Sequence, residues 1–187
     1  MALMPSSEPS SLDKIILIGF MGTGKSTVGR IAATMLGFQF IDTDALVVQK
    51  NGCSIAQLFE TEGESFFRNE ETEALQSLQE RSRVLIATGG GIVTQPQNIP
   101  IMKGLAPVIW LTASEDVIFE RVSRNKQRPL LQTPNPRGTI HELLEKRLPL
   151  YEKAADAVVD TSHQTHEHVA RQVISAAERL VRSSTGE

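Results

Sequence analysis

Short apolar runs alternate with longer stretches of helical periodicity along most of this chain. Five of the runs are short and contain β-branched residues, so each is predicted to be a strand, and the nearly all-apolar first run is predicted to be covered on both faces. They lie at residues 14–19, 38–42, 83–88, 107–111 and 157–160. Helices are predicted at residues 25–36, 44–51, 64–81, 139–148 and 165–181, with further helices beginning at Ser54 and Ser114. This alternation predicts right-handed βαβ units, and therefore an α/β fold with a five-stranded parallel sheet between two helical layers.

The length of the chain fits a single domain of this kind. It has 187 residues, of which 40% are hydrophobic, enough for one core and too few for two ordinary domains. We assign the domain to residues 14–182. Residues 1–13 are rich in serine and proline, and we expect them and residues 183–187 to be disordered tails.

Charge and cysteine content exclude several classes of protein. The net charge is −3 and the 19 Lys and Arg residues form no block, so we expect no nucleic-acid partner. No apolar run reaches the roughly 18 residues that a membrane span needs, so we expect no membrane contact. The single cysteine, Cys53, allows no disulfide framework, and we interpret it as a small apolar residue of a loop. We therefore expect a cytoplasmic protein, and a monomer.

The first strand runs into the glycine-rich sequence GFMGTGKS at residues 19–26, which precedes a predicted helix. This is the P-loop pattern in its proper context of strand, turn and helix. The glycines let backbone N–H groups converge on phosphate oxygens, and the helix N-terminus adds the positive end of its dipole. Lys25 is predicted to reach the β- and γ-phosphates, and the Ser26 hydroxyl to bind Mg²⁺. The pattern predicts a nucleoside triphosphate site.

Two carboxylates, Asp42 and Asp44, end the second strand at the carboxyl edge of the predicted sheet. Ligands of open α/β folds bind at this edge. One carboxylate could hold Mg²⁺ through water, and the other could orient a substrate hydroxyl that loses its proton during transfer. The alternative is that Asp44 only caps the next helix.

Two further patterns favour a second ligand. Arg68 and Glu71 lie on one face of the predicted helix at residues 64–81, although such a pair is often an ordinary surface contact. Gly89, Gly90 and Gly91 follow a buried strand. Three glycines carry an entropic cost, so they favour a place where a ligand approaches the backbone over a plain flexible turn.

Arginines near the end of the sheet complete the candidate chemistry. Residues 125–138 contain three prolines and several basic residues, which predicts a long mobile loop. Arg128 on this loop could stabilise charge on a transferring phosphoryl group, unless the loop is merely solvated. Arg147 could bind a substrate carboxylate through two parallel hydrogen bonds.

In this order the motifs resemble those of the shikimate kinase family, and the resemblance extends from residue 14 to about residue 161. The motifs are GFMGTGKST at residues 19–27, DTD at 42–44, FRNEE at 67–71, GGG at 89–91, RPLL at 128–131 and RLPLY at 147–151. Enzymes of this family transfer the γ-phosphate of ATP to the 3-hydroxyl of shikimate with Mg²⁺. The resemblance implies a nucleoside-monophosphate-kinase type of fold with strand order 2-3-1-4-5, substrate-binding helices at about 44–82 and a mobile lid at about 122–138.

The resemblance also implies a role for each matching residue. It implies catalysis by Lys25, Asp44 and Arg128, with Mg²⁺ on Ser26 and, through water, on Asp42. The nucleotide-binding residues would be Gly22, Thr23, Gly24, Lys25, Ser26, Thr27, Arg124, Arg128 and Gln164, with Arg124 over the adenine. The shikimate-binding residues would be Asp44, Arg68, Gly89, Gly90, Gly91 and Arg147, with Phe59 and Phe67 as apolar walls.

Other functions stay open at this point. The acceptor could be another small hydroxylated acid, such as gluconate, or a nucleoside monophosphate. A guanine-nucleotide switch would need an Asn-Lys-x-Asp motif, but the sequence reads NKQR at residues 125–128. A binding module without catalysis would lack catalytic residues that are all present here. We expect direct in-line transfer, because no Cys or His accompanies the P-loop as a nucleophile.

Overall fold

The computed structural model describes residues 12–123 and 133–184. Its centre is a parallel sheet of five strands in the order β2-β3-β1-β4-β5. The strands are β1 (Lys14–Ile18), β2 (Gln39–Asp42), β3 (Val84–Ala87), β4 (Val108–Thr112) and β5 (Ala157–Asp160). The predicted fold class and strand order are therefore confirmed.

Eight α-helices connect and cover the strands within the described residues. They are α1 (Lys25–Leu36), α2 (Thr43–Asn51), α3 (Ile55–Thr61), α4 (Gly63–Gln76), α5 (Asn98–Leu105), α6 (Glu115–Ser123), α7 (Pro136–Ala154) and α8 (His166–Ser184). A short 3₁₀ turn, Ile92–Thr94, follows β3. None of the helices described has the length and apolar character needed to cross a membrane.

Alternate residues of β1 face two different cores, as the pleat of a strand requires. Ile15 and Leu17 pack with α1 and α8 on one face of the sheet. Ile16 and Ile18 pack with α5, α6 and α7 on the other. Burial on both faces explains the nearly continuous apolar sequence of this strand, and it holds the carboxyl ends of β1, β2 and β3 at one rigid edge.

Several predicted boundaries differ from the structure. Helix α4 ends at Gln76 instead of residue 81, and α5 was not predicted. Helix α7 does not stop before Pro149 but continues to Ala154, because Arg147 and Tyr151, on either side of the proline, are buried against the sheet edge. A proline inside a helix removes one backbone hydrogen bond, so tertiary packing overrides the local signal here.

The folded part of the chain extends slightly beyond the predicted bounds of residues 14–182 at both ends. Helix α8 continues to Ser184, past residue 182. At the other end Asp13 is part of the fold, since its carbonyl oxygen accepts from the Val84 amide and its carboxylate from the Arg83 amide. The predicted lid falls mainly on residues 124–132, which lie outside the described residues.

Candidate active site

The turn between β1 and α1 depends on its glycines. Gly22 and Gly24 have φ of 81° and 91°, in the left-handed region that other residues rarely adopt. A Cβ on Gly19 would collide with the carbonyl oxygen of Leu111 on the neighbouring strand β4. The P-loop sequence therefore forms the compact, backbone-lined turn that phosphate binding requires.

Lys25 lies across this turn. Its Nζ donates to the carbonyl oxygens of Gly19 and Phe20 at 2.7 and 3.0 Å, so the ammonium group is held above the loop. Thr23 is buried instead, and its hydroxyl donates to the Phe20 carbonyl at 2.8 Å. The Thr23 side chain thus supports the loop from within, leaving its backbone as the part that can face a phosphate.

Ser26 and Asp42 lie together at the predicted metal site. The Ser26 Oγ donates to Asp42 Oδ2 at 3.0 Å, and Asp42 Oδ1 accepts from the Asp44 amide at 3.1 Å as the N-cap of α2. No group of three or more His, Cys, Asp or Glu residues that could cage a metal occurs among the described residues. A hydroxyl beside a carboxylate fits Mg²⁺, which takes few protein oxygens and completes its shell with phosphate and water. Because Asp42 is the cap, the capping alternative for Asp44 is wrong.

A cavity of about 360 Å³ lies over the P-loop. It brings the predicted P-loop residues together with the two aspartates that follow β2. It also contains four residues that the sequence did not predict: Met21, Thr88, Arg121 and His166. The lining residues are Met21, Gly22, Gly24, Lys25, Ser26, Thr27, Asp42, Asp44, Thr88, Gly90, Arg121 and His166. We call it the phosphate cavity.

Arg121 is the main residue of this cavity that the sequence interpretation missed. Its Nη1 donates to the Gly22 carbonyl at 3.2 Å and to Thr161 Oγ1 at 2.9 Å, and its Nη2 to the Thr161 carbonyl at 2.8 Å. The guanidinium group therefore joins the P-loop to the loop after β5. One signal was available: Arg121 lies within the apolar periodicity of α6, where Ile118 and Val122 are buried.

The predicted nucleotide contact of Gln164 is not found in this cavity. Its Nε2 donates to the Asp160 carbonyl at 2.9 Å, and the residue lines a different cavity, between β5 and α8. Arg124 and Arg128, the other predicted nucleotide-binding arginines, lie outside the described residues.

A second cavity, of about 240 Å³, adjoins the phosphate cavity and contains the predicted acceptor-binding residues. It is lined by Met21, Asp44, Ile55, Phe59, Phe67, Arg68, Glu71, Gly89, Gly90, Gly91 and Arg147. The rings of Phe59 and Phe67 are 4.8 Å apart between centroids and form an apolar wall. We call it the acceptor cavity.

Arg68 and Glu71 form a buried ion pair in the acceptor cavity, so the interpretation as a surface pair is wrong. Arg68 Nη1 lies 2.6 Å from Glu71 Oε2, and its Nη2 lies 3.0 Å from Glu64 Oε1. Burial raises the pKa of Glu71 to about 7, and the nearby Asp44 charge adds to this while Arg68 opposes it. The sequence pattern alone did not predict how deeply this carboxyl is buried.

Two of the three glycines after β3, Gly89 and Gly91, are tightly surrounded, which argues against a plain flexible turn. The Gly89 amide donates to the buried Thr43 Oγ1 at 3.1 Å. A Cβ on Gly89 would approach Asp44 Oδ1 to 2.5 Å, and a Cβ on Gly91 would approach the Arg68 Cζ to 2.7 Å. The absence of side chains leaves the Asp44 carboxylate and the Arg68 guanidinium room at the cavity wall.

Arg147 brings a second cation to the acceptor cavity from α7. The residue is largely buried, its Nη1 donates to the Gly90 carbonyl at 3.3 Å, and its guanidinium lies 5.7 Å from the centroid of the Phe20 ring. Two buried arginines in one small cavity favour an anionic ligand.

Met21, Asp44 and Gly90 line both cavities. A group bound over the P-loop is therefore adjacent to a molecule in the acceptor cavity, with the Asp44 carboxylate between them. This arrangement suits transfer of a phosphoryl group from a nucleotide to an anionic acceptor that carries a hydroxyl.

Comparison with known proteins agrees with this geometry. The sequence profile of shikimate kinase matches residues 21–178. A shikimate kinase of Thermodesulfovibrio yellowstonii is 45% identical over 174 residues, 93% of this chain and 100% of the relative. The structure of a shikimate kinase from Acinetobacter baumannii in complex with shikimate has a TM-score of 0.85 at 37% identity, covering 95% of this chain and 97% of that one. The shikimate kinase of Aquifex aeolicus has a TM-score of 0.78 at 36% identity, over 93% and 99% of the two chains. This chain belongs to the shikimate kinase family.

Proposed function

We propose that this protein transfers the γ-phosphoryl group of ATP to the 3-hydroxyl of shikimate, with Mg²⁺. The observation that carries the proposal is the pair of cavities that meet at Asp44, one over the P-loop and one containing Arg68 and Arg147. Shikimate carries one carboxylate and several hydroxyls, which match two buried cations and one carboxylate. The protein would act as a monomer in the cytoplasm.

In this proposal Arg68 and Arg147 bind the shikimate carboxylate. Charge-assisted hydrogen bonds from guanidinium groups are strong and directional, particularly where water is excluded. The backbone of residues 89–91 and the Asp44 carboxylate would receive the hydroxyl side of the ring, and Phe59 and Phe67 would contact its apolar face. Asp44 would accept a hydrogen bond from the attacking hydroxyl and so orient its oxygen towards the phosphate.

On the nucleotide side, the P-loop amides and Lys25 would bind the β- and γ-phosphates. Bound Mg²⁺, next to Ser26 and Asp42, would supply positive charge to the phosphate oxygens. Arg121, held by Gly22 and Thr161, lines the same cavity and would contact the nucleotide from the β5 side. From its motif alone, we also propose that Arg128 stabilises charge on the transferring group.

The transfer would be direct. His166 lines the phosphate cavity but not the acceptor cavity, so it does not lie where the two cavities meet. Cys53 packs against the apolar cluster around Val47 and Leu58. Neither residue is in position to carry a phosphoryl group between the substrates, and isolation of a phosphoprotein that passes its phosphate to shikimate would contradict this step.

A coupled assay of ADP release tests the proposed function. Shikimate should support turnover with ATP and Mg²⁺, whereas quinate, gluconate and nucleoside monophosphates should not. Absence of shikimate-dependent turnover would overturn the proposal.

The Arg68→Ala variant tests the acceptor site within the same assay. The KM for shikimate should rise by about 10- to 100-fold, the range expected for a lost hydrogen bond to a charged group. Lys50→Ala is the matched control. Lys50, on α2, pairs with Glu70 and Glu73 of α4, the helix that carries Arg68, but it lies outside both cavities. Its KM for shikimate should stay within about twofold of the parent value.

A further inference from the structure

Behind the acceptor cavity, Tyr151 is completely buried on α7. Its hydroxyl donates to the carbonyl oxygen of Gly90 at 2.5 Å. Its ring stacks on Trp110 of β4, with centroids 5.7 Å apart and planes at 21°. These are the only tyrosine and the only tryptophan of the chain. Stacking against the sheet therefore aims the phenol at the turn after β3.

Arg147 donates to the same carbonyl oxygen from one helical turn earlier. The distance from Arg147 Nη1 to the Gly90 oxygen is 3.3 Å, against 2.5 Å for the Tyr151 hydroxyl. Hydrogen bonds weaken as they lengthen, so the phenol makes the stronger contact and the guanidinium the weaker one. The guanidinium has further N–H groups, and it lines the acceptor cavity.

We propose that Tyr151 is a positioning residue for the acceptor: by occupying the Gly90 carbonyl it leaves the Arg147 guanidinium available for an anionic substrate group. Without the phenol oxygen, the buried carbonyl would depend more on Arg147, since an unpaired buried acceptor is costly. Arg147 would then be drawn towards Gly90 and away from the ligand. The proposal rests on the proposed function, because it assumes that Arg147 binds the carboxylate of shikimate.

The phenol remains a donor under all ordinary conditions. Burial raises the pKa of Tyr151 to about 12, although the Arg147 charge opposes the shift. The hydrogen bond to Gly90 is therefore present throughout the working pH range of a cytoplasmic enzyme. Arg147, through which Tyr151 would act, lines the acceptor cavity and not the phosphate cavity, so the effect should fall on acceptor binding and not on the chemical step.

The Tyr151→Phe variant removes the hydroxyl and keeps the ring. We expect the Kd for shikimate, measured by calorimetry without nucleotide, and the KM for shikimate to rise about 5- to 10-fold, in the range for one neutral hydrogen bond. The kcat and the KM for ATP should stay within twofold. Trp110→Phe is the control for loosened packing, because it disturbs the same stack without removing a donor to Gly90, and its Kd for shikimate should be unchanged.

A double-mutant cycle with Arg147 distinguishes a positioning role of Tyr151 from a general contribution of Tyr151 to the stability of the fold. In an Arg147→Ala background, Tyr151→Phe should weaken shikimate binding no further, because the residue through which it acts is gone. Additive effects of the two changes on Kd would overturn the inference. So would a Tyr151→Phe variant that binds shikimate like the parent, or a Trp110→Phe variant that binds it equally weakly.

A label on the single tyrosine gives a test without any substitution. Protein produced with 3-fluorotyrosine carries one fluorine site, at Tyr151, and its ¹⁹F resonance should shift when shikimate is added without nucleotide. A resonance that does not move at saturating shikimate would contradict the inference. If the unsubstituted parent binds no shikimate by calorimetry, the proposed function fails instead. If Arg147→Ala weakens binding and Tyr151→Phe does not, only the present inference fails.

Discussion

Arg68 Nη1 and Glu71 Oε2 lie 2.6 Å apart on the inner face of α4, and the Glu71 side chain is only 1% exposed. Glu71 therefore holds one edge of the guanidinium that lines the acceptor cavity. The pair is adjacent to Asp44, whose negative charge contributes to the raised pKa of Glu71. Both the stability of the fold and the orientation of Arg68 thus depend on a carboxyl that titrates near neutral pH.

The free energy of unfolding of the protein should depend on pH through the titration of Glu71. The pKa of Glu71 is about 7 in the folded protein, above its ordinary value of 4.5, so the stability that the protonated carboxyl contributes is fully present below pH 4.5 and is lost as the pH rises through 7. Glu71→Gln has no such loss. The free energy of unfolding of the variant minus that of the parent should therefore increase between pH 4.5 and 7 and level off above. Denaturant titrations across this range measure the difference, and parallel curves for the two proteins would show that the carboxyl is not perturbed.

A methyl group at Gly91 should weaken acceptor binding through Arg68. Gly91 has φ of −96°, which alanine adopts without strain, but the new Cβ would lie 2.7 Å from the Arg68 Cζ. We expect Gly91→Ala to fold and to raise the KM for shikimate at least tenfold, since displaced charge-assisted contacts cost about 1.5 kcal/mol or more. Gly104→Ala is the control, because nothing lies within 4 Å of its added Cβ. Equal KM values for the two variants would contradict the assignment of Arg68 to the acceptor.

Removal of the Arg121 guanidinium should affect the nucleotide and leave the acceptor unaffected. Arg121→Ala loses the bonds to Gly22 and Thr161 and one wall of the phosphate cavity. The KM for ATP should rise about tenfold, the effect of roughly 1.4 kcal/mol of lost binding, while the Kd for shikimate stays the same. Arg171→Ala on α8, outside the phosphate cavity, should change neither constant. A larger effect on shikimate than on ATP would contradict this division of the site.

Arg128 should act on the chemical step. Arg128→Ala is expected to lower kcat by roughly 10²-fold or more, the cost of a lost charge contact to the transition state. The Kd for shikimate should change little. Single-turnover measurements report the chemical step and calorimetry reports shikimate binding, so the two effects can be separated. An unchanged kcat would show that another cation stabilises the transferring phosphoryl group.

Much of the fold could be predicted because strong local signals agreed with the tertiary structure. The apolar run of β1 is compatible with few structures other than a buried strand, and the P-loop glycines with few other than a tight turn. Because the turn follows the strand, it marks the edge of the sheet where ligands bind. Helix α7 was misjudged at Pro149, because the buried contacts of Arg147 and Tyr151 with Gly90 are invisible to local propensity. Helix ends depend on such contacts more than helix existence does.

The same distinction applies to the site: residues within sequence motifs could be predicted, and features that depend on tertiary packing could not. Motifs pointed to Asp44 and Arg68, and both line the acceptor cavity, whereas the burial of Glu71 depends on packing between α4 and the turn after β3. Arg121 was missed because an arginine on a surface helix is ordinarily solvated. The fold brings its guanidinium within hydrogen-bond distance of Gly22 and Thr161, where it joins two loops.

The shared boundary at Met21, Asp44 and Gly90 has a consequence for inhibitors. A compound that joins a nucleotide mimic to a carboxylate-bearing ring must pass this boundary, so its linker has to be narrow and must tolerate the negative charge of Asp44. Two separate fragments, one for each cavity, would not exclude each other and should bind at the same time. A compound that links the two fragments would then gain from the affinity of each. A bulky group placed at the boundary would instead block both cavities, even if it bound in only one of them.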